Sequence, residues 1–140
     1  MNTLEFKFVP HEMKTSIIKI TSYNNKTLEG LFFNPFFKTE KVFENLTQLL
    51  LLTEELHDNL GFPARSMEKR LVKPEDTDTS NLTDAGPEHL NKEVIATFII
   101  NIIFRQNASW QGNLDWVEQN VETSFRSVLE LVLLIDNILS

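Results

Sequence analysis

The length, composition and charge of this chain exclude several classes of protein. Its 140 residues suffice for one buried core, and the absence of cysteine excludes disulfides, thiolate metal sites and cysteine nucleophiles. Twenty acidic and 13 basic residues give a net charge of −7, which disfavours nucleic acid as a partner and suits a basic protein. The first residues carry charges where a signal peptide is apolar, and no apolar run is long enough to span a membrane, so we expect a cytoplasmic protein without membrane contact.

The first half of the chain has the pattern of strand, turn, strand and helix. Residues 4–9 and 15–23 alternate apolar and polar side chains, as half-buried strands do. Asn25 favours a turn with a positive φ, and residues 28–34 then return as the second strand of a hairpin. Apolar residues at helical spacing predict a helix over residues 41–60.

A connecting segment follows over residues 59–96. Residues 66–72 predict a short strand, whereas residues 73–92 are rich in acids and turn-forming residues and predict a linker or mobile loop. Basic residues in this segment could contact an anion or a nucleic-acid backbone, although lysines along a strand edge also prevent unwanted strand pairing. These basic residues are Arg65, Lys69, Arg70 and Lys73.

The second half of the chain repeats the order of the first. Residues 97–105 and 110–116 alternate as two strands around a turn at Asn107, and the first strand places Phe98, Ile100, Ile102 and Phe104 on its core face. Residues 122–139 then have the apolar spacing of a helix. The apolar face of the second strand carries Trp110, Gly112, Leu114 and Trp116.

An internal repeat accounts for this order. At an offset of 82 residues, residues 15–58 align without a gap on residues 97–140, and eleven of the 44 pairs are identical. Gly30 and Gly112 fall on equivalent positions of the apolar face, where we expect a helix to lie close to the sheet. The sequence therefore predicts a single α+β domain that duplicates a β-β-α unit, with an antiparallel sheet of four to six strands and two helices on one face.

Apolar residues outside the predicted core indicate further contacts. Because side chains alternate along a strand, we assign Tyr23, Leu31, Phe33, Ile99 and Ile103 to the sheet face away from the helices. Such a face needs a cover, which the amino-terminal strand, the connecting segment or a second chain can provide. On the predicted helices, leucines outside the apolar stripe indicate a second contact for each helix, namely Leu51, Leu52, Leu133 and Leu134.

The sequence shows no pattern of catalytic or metal-binding residues. It lacks a nucleophile elbow, a phosphate-binding loop and a dinucleotide fingerprint, and the histidines at positions 11, 57 and 89 have no helical spacing to one another. Paired carboxylates can catalyse glycoside hydrolysis, but the acids within residues 40–55 and 115–122 fit a solvated face better. We therefore expect a protein that is not an enzyme and that needs no metal or cofactor.

A cluster of polar and aromatic residues surrounds the second predicted turn. Arginine and tryptophan dominate protein-binding hot spots, so this hairpin end could be a recognition loop. Alternatively, Trp110 and Trp116 belong to the core and the neighbouring amides stabilise the turn. The face assignment directs Arg105 and Gln111 away from the core. The candidate partner-binding residues are Arg105, Gln106, Asn107, Gln111, Tyr23, Phe33 and Ile103.

The carboxyl-terminal end carries a resemblance to known proteins. The run RQNASWQGNLDWVE, followed by FRSVLELVLLIDNIL, resembles a set of small uncharacterised bacterial proteins with a similar carboxyl-terminal half. The resemblance implies a bacterial or phage origin. It includes no catalytic motif and implies no activity.

Three functions remain open from the sequence. The first is a non-enzymatic protein-interaction module, such as a small acidic inhibitor, an immunity-type protein or a regulatory adaptor, which binds another protein or forms a homodimer. The second is nucleic-acid binding through residues 65–73 together with Arg105. The third is a regulatory domain that binds a small ligand between the helices or at a pseudo-two-fold axis.

Overall fold

The chain folds into one open antiparallel sheet of six strands with three helices, so the predicted α+β class is confirmed. A computed structural model describes residues 14–37, 39–61, 84–106 and 109–140. The elements are β1 (Thr15–Asn24), β2 (Thr27–Phe33), β3 (Lys41–Phe43), α1 (Leu46–Leu60), α2 (Pro87–Leu90), β4 (Ala96–Gln106), β5 (Ser109–Trp116), β6 (Val121–Phe125) and α3 (Val128–Leu139), with a 3₁₀-helix at Val117–Gln119.

The strand order in the sheet is β3-β2-β1-β4-β5-β6. β1 and β4 pair antiparallel at the centre, where Ile17 lies opposite Ile99. β3 and β6 form the two edges. The strands predicted at residues 4–9 and 66–72 lie outside the described residues. No helix in the described part of the chain has the length and apolar character that a membrane span requires.

A two-residue turn joins β1 to β2. Asn25 and Lys26 both have positive φ, 57° and 63°, which suits the type I′ turn that matches the twist of a hairpin. The prediction of a positive φ at Asn25 is confirmed. The second predicted turn, at Asn107, lies outside the described residues.

A bulge interrupts each of the two hairpins. The pairing register shifts between Ile20 and Ser22 in β1, and between Ile102 and Phe104 in β4. An extra residue in a strand reverses the face that all later side chains occupy. Phe104 is therefore exposed, and the prediction that it lies in the core with Ile102 is wrong.

Helices α1 and α3 begin later than predicted. Asn45 and Ser127 cap them, since the Asn45 side chain accepts a hydrogen bond from the Gln48 N–H and Ser127 Oγ accepts one from the Glu130 N–H. The Gln48 and Glu130 side chains reach back to the N–H groups of the residues before the caps, at 2.7 and 2.8 Å. The residues just before these caps form β3 and β6, not the first turns of the two helices.

One buried core contains residues of both long helices and alternate residues of the strands. Leu52 of α1 is fully buried, so its assignment outside the apolar stripe is wrong, because the buried face of the helix runs through Leu49, Leu52 and Leu56. Leu51 and Leu133 remain exposed. The largest fully buried side chains are Phe32, Phe43, Phe98 and Phe125.

Close contact between strands explains the glycines at equivalent positions. A Cβ on Gly112 would overlap the carbonyl oxygen of Asn101 on β4, and a Cβ on Gly30 would overlap that of Lys19 on β1. The prediction that these glycines admit a helix is wrong, since the nearest backbone belongs to the adjacent strand. A Cβ on Gly30 would also lie 2.9 Å from the ring of Phe43.

The end of the connecting segment is structured. Asp84 bridges to Lys41 on β3, and the Ala85 N–H donates a 2.8 Å hydrogen bond to the Glu40 carbonyl oxygen. Residues 84–92, predicted as part of a loop, therefore include α2 and contact the Glu40–Lys41 end of the β3 edge. The four basic residues, Arg65, Lys69, Arg70 and Lys73, lie outside the described residues.

Candidate interaction surface

Arg105 fastens the β4–β5 hairpin to helix α1. Its side chain is only 4% exposed, and Nη1 lies 3.0 Å from Asp58 Oδ1 and 3.3 Å from Glu54 Oε1. Nη2 donates a 3.3 Å hydrogen bond to the carbonyl oxygen of His57. The prediction that Arg105 points outward to a partner is wrong, because the β4 bulge turns it to the same side as the core.

The guanidinium of Arg105 contacts acidic side chains of α1. One guanidinium faces two carboxylates, those of Glu54 and Asp58, and both carboxylates keep some contact with solvent. Trp110 is buried, and its Nε1–H donates a 2.9 Å hydrogen bond to Glu54 Oε1. Trp110 thus belongs to the core and to this cluster at once.

A second polar cluster joins the β1–β2 hairpin to α3. The Tyr23 hydroxyl donates a 2.7 Å hydrogen bond to Asp136 Oδ1, and Lys26 Nζ lies 2.7 Å from the same oxygen. Tyr23 also packs against the core, so its assignment to the opposite face of the sheet is wrong. The bulge after Ile20 is again the cause, as in β4.

These contacts shift the ionisation of both partners. Hydrogen bonds from Lys26, Tyr23 and Ser140 lower the pKa of Asp136 from 3.8 to about 2. The hydrogen bond to Asp136 raises the pKa of Tyr23 above its ordinary value of 10.0. The cluster therefore holds the carboxylate charged and the phenol neutral over a wide pH range.

Replacing Asp136 with asparagine should weaken the acid sensitivity of the fold. Folding lowers the pKa of Asp136, so its ionised form stabilises the protein above pH 3.8. This stabilisation is lost as the pH falls towards about 2. Urea unfolding across this interval should therefore show a smaller loss of stability for Asp136→Asn than for the wild type. An identical pH dependence in both proteins would contradict the assignment.

The outer side of the β4–β5 hairpin carries an exposed apolar patch. Ile103 is 52% exposed and Phe104 is 42% exposed. Gln111, also exposed, lies directly opposite Phe104 in the pairing of β4 with β5. We name Ile103, Phe104 and Gln111 the hairpin-end patch. The predictions that Ile103 and Gln111 face away from the core agree with the structure, and Phe104 joins them through the bulge.

The corresponding bulge in β1 carries no such patch. There, Thr21 and Ser22 stand where β4 has Ile103 and Phe104, and both are half-buried. Thr21 Oγ1 donates a 3.3 Å hydrogen bond to the carbonyl oxygen of Glu29 within its own hairpin. The apolar character is thus particular to the second hairpin.

The remaining candidate residues do not join this patch in the described structure. Phe33 is half-buried at the end of β2, which lies on the other side of the sheet centre from β5. Gln106 ends β4, and Asn107 lies outside the described residues. Of the seven predicted partner-binding residues, the structure therefore brings Ile103 and Gln111 together and uses Arg105 and Tyr23 inside the fold.

A further groove in the described structure is lined by several charged side chains. A groove of about 470 Å³ beside β2 and β3 is lined by residues that include Glu29, Glu44, His89 and Lys92. Within the described ranges, no group of three or more histidine, aspartate or glutamate side chains is placed to hold a metal ion. Comparisons with protein-family models, with curated protein sequences and with solved structures found no match to this chain.

Proposed function

We propose that this protein is a non-enzymatic interaction module that binds a basic protein through the hairpin-end patch. The observation that carries the proposal is the pair of consecutive exposed apolar side chains, Ile103 and Phe104, beside Gln111. The β4 bulge turns Phe104 to the outward side that Ile103 already occupies. Exposed apolar residues with a polar neighbour are typical of a protein-binding surface.

The hairpin is held rigidly behind the patch. Arg105 follows Phe104 directly, and its buried guanidinium contacts the Glu54 and Asp58 carboxylates of α1. Side chains on a fixed support lose less conformational entropy when a partner binds than side chains on a flexible loop do. Such an arrangement supports a preorganised binding surface.

Electrostatics favour a basic partner. The whole chain carries a net charge of −7. A field of this sign accelerates encounter with a positively charged surface. The partner we propose presents lysine or arginine side chains around an apolar contact for Ile103 and Phe104.

An internal duplication, with both long helices on one face of the sheet, is part of the same proposal. Its support is the equal offset of 82 residues between matching pairs, such as Ile20 with Gly30 and Ile102 with Gly112. If the halves are copies, residues that they share serve the architecture and residues that differ are candidates for function. The contrast between the two bulges then points to Ile103 and Phe104.

The test is a capture experiment with a double variant. Tagged wild-type protein and the variant Ile103→Asp with Phe104→Ser are used to capture proteins from the native host, and the captured basic protein is then titrated with each. We expect at least a tenfold weaker affinity for the variant, which corresponds to about 1.4 kcal/mol.

Leu51→Asp is the matched control, because Leu51 is an exposed apolar residue on α1 far from the β4 bulge in sequence. This control should bind like the wild type. Equal affinity of the double variant and the wild type would refute the proposal, as would a requirement for Leu51 alone.

A further inference from the structure

The two edges of the sheet differ in what lies beside them. The β3 edge is covered by the segment that begins at Asp84, through the Lys41–Asp84 bridge and the Ala85 hydrogen bond. β6 pairs with β5 on its inner side, and among the described residues no backbone hydrogen bond reaches its outer side. The backbone of an open edge can accept a further strand.

Exposed leucines lie next to this open edge. Leu129 of α3 is 66% exposed and Leu133 is 56% exposed, one helical turn apart. A groove of about 500 Å³ lies between β6 and α3 and is lined by Ser124, Glu130, Leu133, Leu134, Asp136 and Asn137. Val121, at the start of β6, is also exposed. Backbone pairing and apolar burial are therefore available at the same place.

The charged side chains of α3 beside these leucines are paired internally. Arg126 Nη2 lies 3.3 Å from Glu130 Oε2, and Lys26 Nζ lies 2.7 Å from Asp136 Oδ1. The neighbourhood of the two leucines is thus close to neutral, although the whole chain is acidic. A second copy of the chain meets little repulsion here, and a strongly basic partner gains little attraction.

We propose that a second copy of this chain pairs with β6 across a two-fold axis through Thr123. In this antiparallel pairing, Thr123 faces its own copy, Glu122 faces Ser124, and Val121 faces Phe125 of the other protomer. No like charges lie opposite one another, which keeps the pairing favourable. The two α3 helices then meet on one side of the joined sheet and bury Leu129 and Leu133.

The covered β3 edge limits this assembly to a dimer. Pairing of the same edge with itself is isologous and closes after two copies. A sheet with two open edges would instead extend into a filament. Since Asp84 and Ala85 occupy the Glu40–Lys41 end of the β3 edge, β6 is the open edge within the part of the chain that the structure describes. The proposal uses no residue of the hairpin-end patch and does not rest on the proposed function.

Sedimentation of the full chain and of two charge variants tests the dimer. At micromolar concentration, sedimentation of the wild type should give twice the mass of the monomer. Leu133→Glu should shift the population to monomer, because two new carboxylates would meet in the interface. Leu51→Glu places the same change on the exposed leucine of α1 and should leave the dimer intact. Circular dichroism confirms that each variant is folded.

A single cysteine then tests the register. The chain has no cysteine, so Thr123→Cys introduces one thiol per protomer at the proposed axis. Directly opposite residues of an antiparallel pair lie within disulfide reach, so mild oxidation should cross-link Thr123→Cys to a covalent dimer. Leu51→Cys should stay uncross-linked under the same conditions.

Three results would overturn the inference. They are a monomeric wild type, a dimer that persists in Leu133→Glu, and a dimer that cross-links through position 51 and not through position 123. A monomer that binds an unrelated extended peptide along β6 would likewise assign the edge to a different occupant. None of these results bears on partner binding at Ile103 and Phe104.

Discussion

Replacing Arg105 with alanine is expected to lower the free energy of unfolding by about 2–4 kcal/mol, because removing one partner of a buried ion pair is strongly destabilising. The change removes the Arg105 guanidinium from beside Glu54 and Asp58, and it removes one hydrogen-bond donor from the His57 carbonyl oxygen. The value lies below that of a fully buried pair, since both carboxylates keep some solvent contact. Urea unfolding at neutral pH measures the difference.

Arg126→Ala is the matched control for this measurement. Arg126 also pairs with a carboxylate, that of Glu130, but its side chain is exposed and the pair is of the helical i, i+4 type. Exposed pairs of this kind contribute little to stability, so we expect a much smaller effect than that of Arg105→Ala. Equal effects of the two substitutions would show that Arg105 does not fasten the hairpin to α1.

The substitution Gly112→Ala is expected to have the second large effect, a loss of about 3 kcal/mol or more. The added Cβ would overlap the Asn101 carbonyl oxygen and would lie 3.1 Å from the Ile102 Cα, and backbone atoms of a paired strand cannot move away without breaking the pairing. Thermal unfolding should show a strongly lowered midpoint, or expression should yield no folded protein.

Gly86→Ala separates this overlap from any general effect of replacing glycine. A Cβ at Gly86 would approach only the Glu88 carboxylate, at 3.2 Å, and that flexible side chain can rotate away. We expect a change within about 0.5 kcal/mol for this variant. If Gly112→Ala were as mild as Gly86→Ala, the close approach of β5 to β4 would be incorrect.

The alternating pattern predicted the four longest strands well. The bounds of β1, β2, β4 and β5 differ from the predicted ones by a single residue at most ends, because each strand buries one face and exposes the other. The edge strands β3 and β6 were not predicted. β3 has three residues, which is too short for an alternating pattern, and both strands run directly into a capped helix.

Bulges explain the errors in the predicted site. The alternation of β4 continues in the sequence from Phe98 to Phe104, but one extra residue near Ile103 reverses the later side chains. Arg105 therefore turns inward to α1, and Phe104 turns outward. No residue type marks such a bulge in the sequence, since neither glycine nor proline stands there. Ile103 and Gln111 were predictable because they keep the outward side under either register.

Site-specific photocross-linking in the native host is the most direct test of the hairpin-end patch as a binding surface. A photoreactive benzoylphenylalanine replaces Gln111, which lies opposite Phe104, and in a second strain it replaces Leu51 on α1. We predict a covalent adduct with a basic protein at position 111 and none at position 51. An adduct at position 51 without one at position 111 would contradict the proposed function.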